Sequence, residues 1–175
     1  MADITFNTNA NETAVRELMI LYLNTGTSQS PTWSALGKRV EDSSVEFDWQ
    51  KETRTDILGN SYTLLKKPQM TQTFGSYPLD SADTAAVKIW NKAIKDHDIG
   101  ALASMDCLIV HLYAGTADSA MFAERYDATT ITPTSLGGSG GGDLESEMEV
   151  SFGGKRTTGT AAITSGGVVT FTADA

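Results

Sequence analysis

Carboxylates alternate with apolar or small residues along one segment toward the C-terminus. The carboxylates are Asp143, Glu145, Glu147 and Glu149. The residues that follow each of them are Leu144, Ser146, Met148 and Val150. Because alternate side chains of an extended strand point to the same face, this pattern predicts a strand with one acidic face and one face turned into the core.

The acidic face has two interpretations. Neighbouring acids on it would lie about 7 Å apart. That distance is inside the Debye length of about 8 Å at physiological salt, so the acids repel one another. A solvated strand face is the plainer interpretation. Judged from this segment by itself, it is the favoured one. The sharper interpretation is a surface that repels another polyanion.

Residues 44–54 alternate in the same way. The apolar positions are Val45, Phe47 and Trp49. The polar positions are Glu46, Asp48, Gln50 and Glu52. The pattern predicts a half-buried strand with a second acidic face. Gly59 and Asn60 can take positive φ, so residues 53–60 are expected to form a hairpin tip and residues 62–66 to return from it.

One helix is indicated after residue 80. Asp80 or Ser81 can cap it, and Asp83 lies in its first turn, where negative charge suits the helix dipole. Its apolar stripe is Ala86, Val87, Trp90, Ala93 and Ile94. The stripe is expected to pack the helix on a sheet with Trp90 in the core. Gly100 is expected just past the end of the helix.

The other segments are short and separated by glycine-rich turns. Residues 16–23 fit both a helical stripe and a buried strand. Further strands are expected over residues 69–75, 103–113, 121–131, 155–163 and 168–172. Residues 1–13 are expected to form a flexible arm or a short edge strand, and residues 132–142 a flexible glycine-rich loop. One helix among many short strands indicates a mainly-β fold, a β-sandwich or partly open barrel with one flanking α-helix.

Composition bounds the kind of protein. The chain has 175 residues, a formal net charge of −9 and a pI of about 4.6. A single domain spanning residues 1–175 is expected. The charge argues against a nucleic-acid-binding protein, which needs a basic patch. Cys107 lies in an apolar run, so we expect it in the core. Because it is the one cysteine of the sequence, an intrachain disulfide is excluded, which fits a reducing cytoplasm. No signal peptide is expected, and no apolar run approaches the roughly 20 residues that span a bilayer.

No set of residues indicates catalysis. Residues 137–142 lack the Lys-Ser/Thr pair and the following helix of a P-loop, and residues 153–157 place a lysine between strands. Residues 96–98, Asp-His-Asp, fit a solvated helix end better than a metal site. Cys107 and His111 would lie about 13 Å apart along a strand, too far to act as a pair. We therefore expect neither an enzyme nor a bound metal or cofactor.

The order of these segments resembles a known family. The parts that carry the resemblance are Tyr22-Leu23-Asn24-Thr25-Gly26, Thr32-Trp33 before Leu36-Gly37-Lys38, the alternating residues 44–49, the tip Ile57-Leu58-Gly59-Asn60, the single helix, residues 148–152, Gly153-Gly154-Lys155 and Gly159-Thr160. In this order, over most of its length, the chain resembles the major tail tube protein of long-tailed bacteriophages. The resemblance lies in order and texture, not in an invariant motif. On this ground residues 16–23 are expected to form a strand.

The resemblance implies a structural role. Such proteins form hexameric rings by joining their inner sheets, and the rings stack into a tube whose negative lumen conducts viral DNA without binding it specifically. It implies a place in the virion tail, assembly in the host bacterial cytoplasm, and no contact with a membrane. Besides further copies of the chain, the implied partners are the tape measure, tail terminator and distal tail proteins.

Particular residues follow from the resemblance. The implied lumen wall is Asp143, Glu145, Glu147, Glu149, Glu46 and Asp48. The long hairpin maps onto residues 46–62. Together with two basic residues near the end of the chain, it supplies the implied contacts between subunits and rings: Lys51, Arg54, Asp56, Ile57, Leu58, Lys155 and Arg156. The competing interpretation is a virion decoration protein, an adhesin or a carbohydrate-binding module, which would expose aromatic side chains on one face.

Overall fold

Strand β8 (Ala120–Pro133) belongs to two parts of one antiparallel sheet in the computed structural model. Its first half pairs with β7 (Met105–Thr116) on one side and with β10 (Arg156–Ile163) on the other. Its last four residues pair instead with β9 (Glu145–Phe152). The sheet therefore divides at β8 into two arms.

The structure describes residues 3–174. The remaining strands of the divided sheet are β1 (Met19–Asn24), β2 (Trp33–Ala35), β3 (Val45–Asp48), β6 (Gln69–Pro78) and β11 (Val169–Ala173). The first arm has the order β2-β1-β7-β8-β10-β11, and the second arm has the order β8-β9-β6-β3. A separate hairpin is formed by β4 (Glu52–Thr55) and β5 (Ser61–Leu64).

Helix α1 (Thr84–Trp90) follows β6 and continues as a π-helical turn, Asn91–Lys95. A short helix α2 (Ile99–Leu102) then leads into β7, and a 3₁₀ turn, Arg16–Leu18, precedes β1. The prediction of a mainly-β fold with a flanking helix is confirmed. The open choice over residues 16–23 is settled in favour of a strand from Met19 onward.

The main core lies between the two arms and under α1. It includes Leu23, Cys107 and Ile109 from the first arm, Tyr77, Met148 and Val150 from the second, and Ile89 from the helix. A second cluster covers the opposite face of the first arm and includes Tyr22, Trp33, Leu108, Val110 and Met121. Cys107 is fully buried, as expected. The first arm thus buries apolar side chains on both faces, whereas the second arm does so only on the face toward α1.

The N-terminal residues that are described pair with the end of β7. Phe6 forms an antiparallel bridge with Ala114, and the amide of Gly115 donates to the carbonyl of Thr5 over 2.9 Å. The part of the expected arm at residues 1 and 2 lies outside the described residues.

The prediction of one strand over residues 44–54 is wrong. Strand β3 ends at Asp48, and Gln50 takes a positive φ of 44°, which interrupts the backbone before β4 begins. Phe47 and Trp49 are 52% and 44% exposed and stack on each other with ring centroids 6.3 Å apart. They are exposed because β3 is the edge strand of the second arm and lies beyond the main core.

The predicted phase of the helix is also wrong. The N-cap is Asp83, whose carboxylate accepts from the amides of Ala85 and Ala86. The helix buries Ala85, Ala86 and Ile89, and it leaves the expected core residue Trp90 38% exposed. The buried stripe lies one position before the predicted one, because apolar residues occupy both sides of this helix. Gly100 lies inside α2 and not just past the end of α1.

Tyr77 fixes the start of the helix. Its fully buried hydroxyl donates to Asp83 Oδ2 over 2.6 Å and accepts from the amide of Gly37 over 3.1 Å. We expect Tyr77→Phe to lower the free energy of unfolding by about 1–3 kcal/mol, because the half-buried amide of Gly37 loses its partner and the Asp83 cap loses its support. Urea denaturation of the two proteins measures the difference. Tyr62→Phe, at a position 46% exposed, is the matched control and should change stability little. Equal stabilities of the Tyr77→Phe and wild-type proteins would contradict this role.

Candidate functional site

Strand β9 shows the alternation that its sequence predicts. Ser146, Met148 and Val150 are buried, while Glu147 and Glu149 are exposed. Glu145 is half-buried, and its backbone pairs with that of Gly137 in the glycine-rich loop. The strand therefore turns a row of carboxylates away from the core.

Two details of the prediction for this strand are wrong. Asp143 precedes the strand, which begins at Glu145. Leu144, expected in the core, is 54% exposed. Both lie where the loop still joins the strand, so the period-two alternation does not yet apply to them.

The two acids of β3, Glu46 and Asp48, lie on the same face of the sheet as the acids of β9. Cα pairing sets Glu46 opposite Thr71, and Thr71 opposite Ser151. In the same ladder Thr73 lies opposite Glu149. Since residues paired across neighbouring strands share a face, β3 and β9 present their acids together. We call this surface the acidic face; its carboxylates are Glu46, Asp48, Glu145, Glu147 and Glu149.

The rest of the acidic face is uncharged. Its other side chains, read from the same register, are Gln69, Thr71, Thr73, Pro78, Thr130, Thr132 and Ser151. Along the described strands of the second arm, no lysine or arginine falls on this face. Within residues 3–174, every salt bridge involves acids located elsewhere, so the five carboxylates have no cationic partner. The face is therefore a solvated, purely negative surface.

The β4–β5 hairpin ends in an apolar tip. The Asp56 carboxylate accepts from the amides of Leu58 and Asn60 over 2.8 and 2.9 Å, and Gly59 takes the predicted positive φ. Hydrogen bonds from Asn60, followed by those from Leu58 and Gly59, hold the pKa of Asp56 below its usual range. Ile57 is 102% exposed and Leu58 is 81% exposed. The tip is thus a rigid turn that presents two aliphatic side chains to solvent.

The basic residues of the hairpin lie on its stem. Arg54 pairs with Glu52 over 2.9 Å, and Lys51 is exposed beside the turn that leads to β3. The predicted hairpin over residues 46–62 differs in extent, since β3 belongs to the main sheet and the hairpin itself runs from Glu52 to Leu64.

Lys155 and Arg156 follow the Gly153-Gly154 turn at the end of β9, and Arg156 is the first residue of β10. The amide of Lys155 donates to Asp127 Oδ1 over 2.7 Å, and its side chain is exposed. Arg156 Nε donates to Glu124 Oε2 over 2.6 Å. Arg156 thus has a partner within its own chain, and a contact with a neighbouring subunit remains a prediction for both residues.

Glu124 is a buried acid that the sequence pattern left unassigned. It is 7% exposed, and it accepts hydrogen bonds from Arg156 and from the Tyr126 hydroxyl, while His111 Nε2 lies 3.1 Å from its second oxygen. Burial would raise the pKa of Glu124, but the hydrogen bonds from His111, Arg156 and Tyr126 outweigh it and hold the pKa at about 2. The only sequence signal of this cluster is a carboxylate directly after the apolar run from Ala120 to Ala123.

The candidate chemical residues have structural roles. Lys92 Nζ lies 3.3 Å from Asp96 and 3.2 Å from Asp98, and Asp98 also caps α2. Burial raises the pKa of Cys107 to about 12. Among the described residues there is no group of three His, Cys, Asp or Glu side chains that could hold a metal ion. None of the helices in the described part of the chain is both long and apolar enough to cross a membrane.

Comparisons with known proteins give only distant likenesses. No protein-family model matches the chain, and no curated protein matches it. Among solved structures it is similar to the PVC sheath/tube terminator of an extracellular contractile injection system, with a TM-score of 0.49 and 10% identity over 86% of this chain and 99% of that chain. It is also similar to a chain of the PVC sheath–tube complex (TM-score 0.44, 12% identity, 85% and 92% covered) and to the tube-terminating cap of the anti-feeding prophage (TM-score 0.39, 17% identity, 89% and 99% covered). These likenesses assign the chain to no family.

The Glu124 cluster makes stability depend on pH. Because the pKa of Glu124 is lowered from 4.5 to about 2 on folding, the stabilisation is complete above pH 4.5 and is lost as the pH falls toward 2.

We expect Glu124→Gln to lower the free energy of unfolding by about 2–3 kcal/mol at neutral pH and to flatten its decline between pH 4.5 and 2. Urea titrations of the monomeric protein across this range measure both effects. Glu41→Gln, at an exposed site, is the control, and an unchanged acid limb in Glu124→Gln would contradict the assignment.

Proposed function

We propose that this chain is a structural subunit that assembles into rings stacked as a tube, with the acidic face lining the bore through which DNA passes. The observation that carries the proposal is the acidic face itself: five carboxylates and a set of hydroxyl and amide side chains on one sheet face, without a cation. A solvated outer surface of an ordinary domain usually mixes both signs of charge.

The chemistry of this face suits a wall that DNA slides past. Double-stranded DNA carries about one charge per 1.7 Å of its axis, and proteins hold it mainly through lysine and arginine contacts to phosphate. A wall with such contacts would retain the polyanion. Carboxylates repel it, and threonines and serines keep the surface wet without adding positive charge.

Ring assembly requires contacts that offset the repulsion between the acids. Among the strands of residues 3–174, β3 pairs on one side only, with β6, and its other edge is open to pairing with a strand of a second copy. Phe47 and Trp49 lie on or just after this edge strand and are half-exposed. Burying them against a neighbouring subunit would supply apolar stabilisation next to the acidic face.

The further consequences of the proposal come from the family resemblance. The subunit would belong to a phage-like tail assembled in a bacterial cytoplasm. Its partners would be further copies of itself and the tape measure, tail terminator and distal tail proteins.

Electron microscopy of the purified protein tests assembly directly. We expect negatively stained rings or tubes with a central channel, at a yield that rises with protein concentration. A monodisperse monomer at every protein concentration and ionic strength would contradict the proposal.

Charge reversal tests the bore. We expect the double variant Glu147→Lys, Glu149→Lys to assemble, because both side chains are exposed, but to retain short double-stranded DNA in a form protected from nuclease. Retention should fall steeply as salt is raised. Co-sedimentation of labelled DNA with tubes, before and after nuclease treatment, measures it.

The matched control is the double variant Glu41→Lys, Asp42→Lys. It makes the same change in charge at exposed residues before β3 that form no ion pair within residues 3–174. Equal protection of DNA by the two variants would contradict the placement of the acidic face in the bore.

The stacked pair Phe47 and Trp49 favours a second candidate, a carbohydrate-binding module. Exposed aromatic faces are suitable platforms for sugar rings, and these two rings are nearly parallel, with 16° between their planes. On this alternative, oligosaccharides should change the tryptophan fluorescence of the monomer, and Trp49→Ala should abolish the change while Trp90→Ala should not. An absence of response across oligosaccharide classes would exclude it.

A further inference from the structure

The second arm has an open edge on each side. One edge is β3. The other is the last part of β8, residues 130–133, which pairs with β9 on one side. The pairing of β8 with β7 ends at Thr129 and its pairing with β10 ends at Tyr126, so within residues 3–174 this part of β8 has no second partner. In the proposed tube, β3 of one copy can therefore lie beside β8 of the next.

Such a junction keeps the strands antiparallel. Each neighbouring pair in the order β8-β9-β6-β3 is antiparallel. Because the arm has four strands, β3 runs opposite to β8. The β3 strand of one copy is then antiparallel to β8 of the next, and the sheet continues from copy to copy with the acidic face on one side.

Acidic strands alternate with uncharged strands across this continued sheet. Strands β9 and β3 have all five carboxylates of the acidic face. The side chains that β6 and β8 contribute to the same face are Gln69, Thr71, Thr73, Pro78, Thr130 and Thr132. In one copy β3 has an acidic strand two positions away on one side only. In the continued sheet it has one on each side, because β9 of the next copy follows that copy's β8.

The spacing of the acidic strands decides how strongly they repel. Neighbouring strands lie about 4.8 Å apart, so two acidic strands separated by one uncharged strand lie about 10 Å apart. The Debye length is about 10 Å at 0.1 M salt and about 30 Å at 0.01 M. The added repulsion between copies is therefore strongly reduced near physiological salt and almost unscreened in dilute buffer.

Cations near the arm do not neutralise Glu147 and Glu149. Four exposed lysines lie near the end of the arm where β3 ends and β6 begins: Lys51, Lys66, Lys67 and Lys155. The two glutamates lie toward the other end, where Lys38 and Arg39 are engaged by Asp80. Two further acids at that end form no salt bridge within residues 3–174: Asp143 and Glu145. The charge that copies bring together there is therefore of one sign.

We infer that ionic strength controls the assembly of this chain through the acidic face. Copies join when salt screens the acidic strands of neighbouring subunits, and they separate in dilute buffer. The salt acts through diffuse ions and not through an ion bound at a site. The inference rests on the proposed function and deepens it by naming what regulates the joining of copies.

The critical protein concentration for tube formation measures this control. We expect it to fall about tenfold or more when NaCl is raised from about 10 mM to about 150 mM, because each added copy brings several pairs of carboxylates within the longer Debye length. Sedimentation at a series of protein concentrations gives the value at each salt, and negative-stain microscopy identifies the sedimented particles. A critical concentration that is unchanged by salt, or rises with it, would overturn the inference.

Neutral variants test whether the acidic face is the cause. The double variant Glu147→Gln, Glu149→Gln should assemble at a lower critical concentration in dilute buffer than the wild-type protein, and salt should change that concentration by about threefold or less. Both side chains are exposed, so the fold should be unaffected, and urea denaturation checks this. The matched control Glu41→Gln, Asp42→Asn removes the same charge at exposed residues before β3 and should keep the salt dependence of the wild type.

The outcomes separate this inference from the proposed function. A salt dependence that is lost in the β9 variant and kept in the control supports the inference. Equal salt dependence in the two variants, or wild-type tubes that form equally well at every salt, overturns the inference and leaves the tube proposal standing. Absence of rings and tubes from the wild-type protein at every salt overturns both.

Discussion

Strand β8 exchanges partners along its length, and this exchange determines how the two arms are placed. The strand pairs with β10 up to Tyr126 and with β9 from Thr130 onward. The Gly153-Gly154 turn packs against this junction: a Cβ on Gly153 would lie 2.8 Å from the carbonyl oxygen of Ala128, and Gly154 has a φ of +71°. Only glycine allows the backbone to approach so closely and turn in this sense. The junction brings the two arms face to face, so that they enclose one core.

Once the arms face each other, the distribution of charge follows. The second arm has its core on one face only, and its acids alternate with core residues, so all of them must occupy the other face. Several cations are engaged elsewhere, Arg125 with Asp106, Arg156 with Glu124 and Lys38 with Asp80. These cations neutralise acids away from the acidic face, and within residues 3–174 its five carboxylates have no cationic partner. Like charges on one sheet face cost stability, and an isolated domain gains nothing from that cost.

Local sequence was sufficient where a short period determines the structure. The alternation from Glu145 to Val150 predicted a strand and its two faces correctly, because one buried face admits a single register. The hairpin tip was found from Gly59, which must take a positive φ. Residues whose environment is set by distant contacts were missed. The cap of α1 depends on Tyr77 reaching Asp83, the exposure of Phe47 depends on the edge position of β3, and the partners of Glu124 lie 13 and 32 residues away.

The position of the acidic face in an assembled tube decides whether it lines the bore. A cryo-electron microscopy map of the assembled protein, at a resolution that separates strands, would show this position. We predict that the second arms of successive subunits form the inner wall, with Glu147 and Glu149 pointing to the axis. A map of the assembly in which these two residues face the outside or lie within a contact between subunits would contradict it.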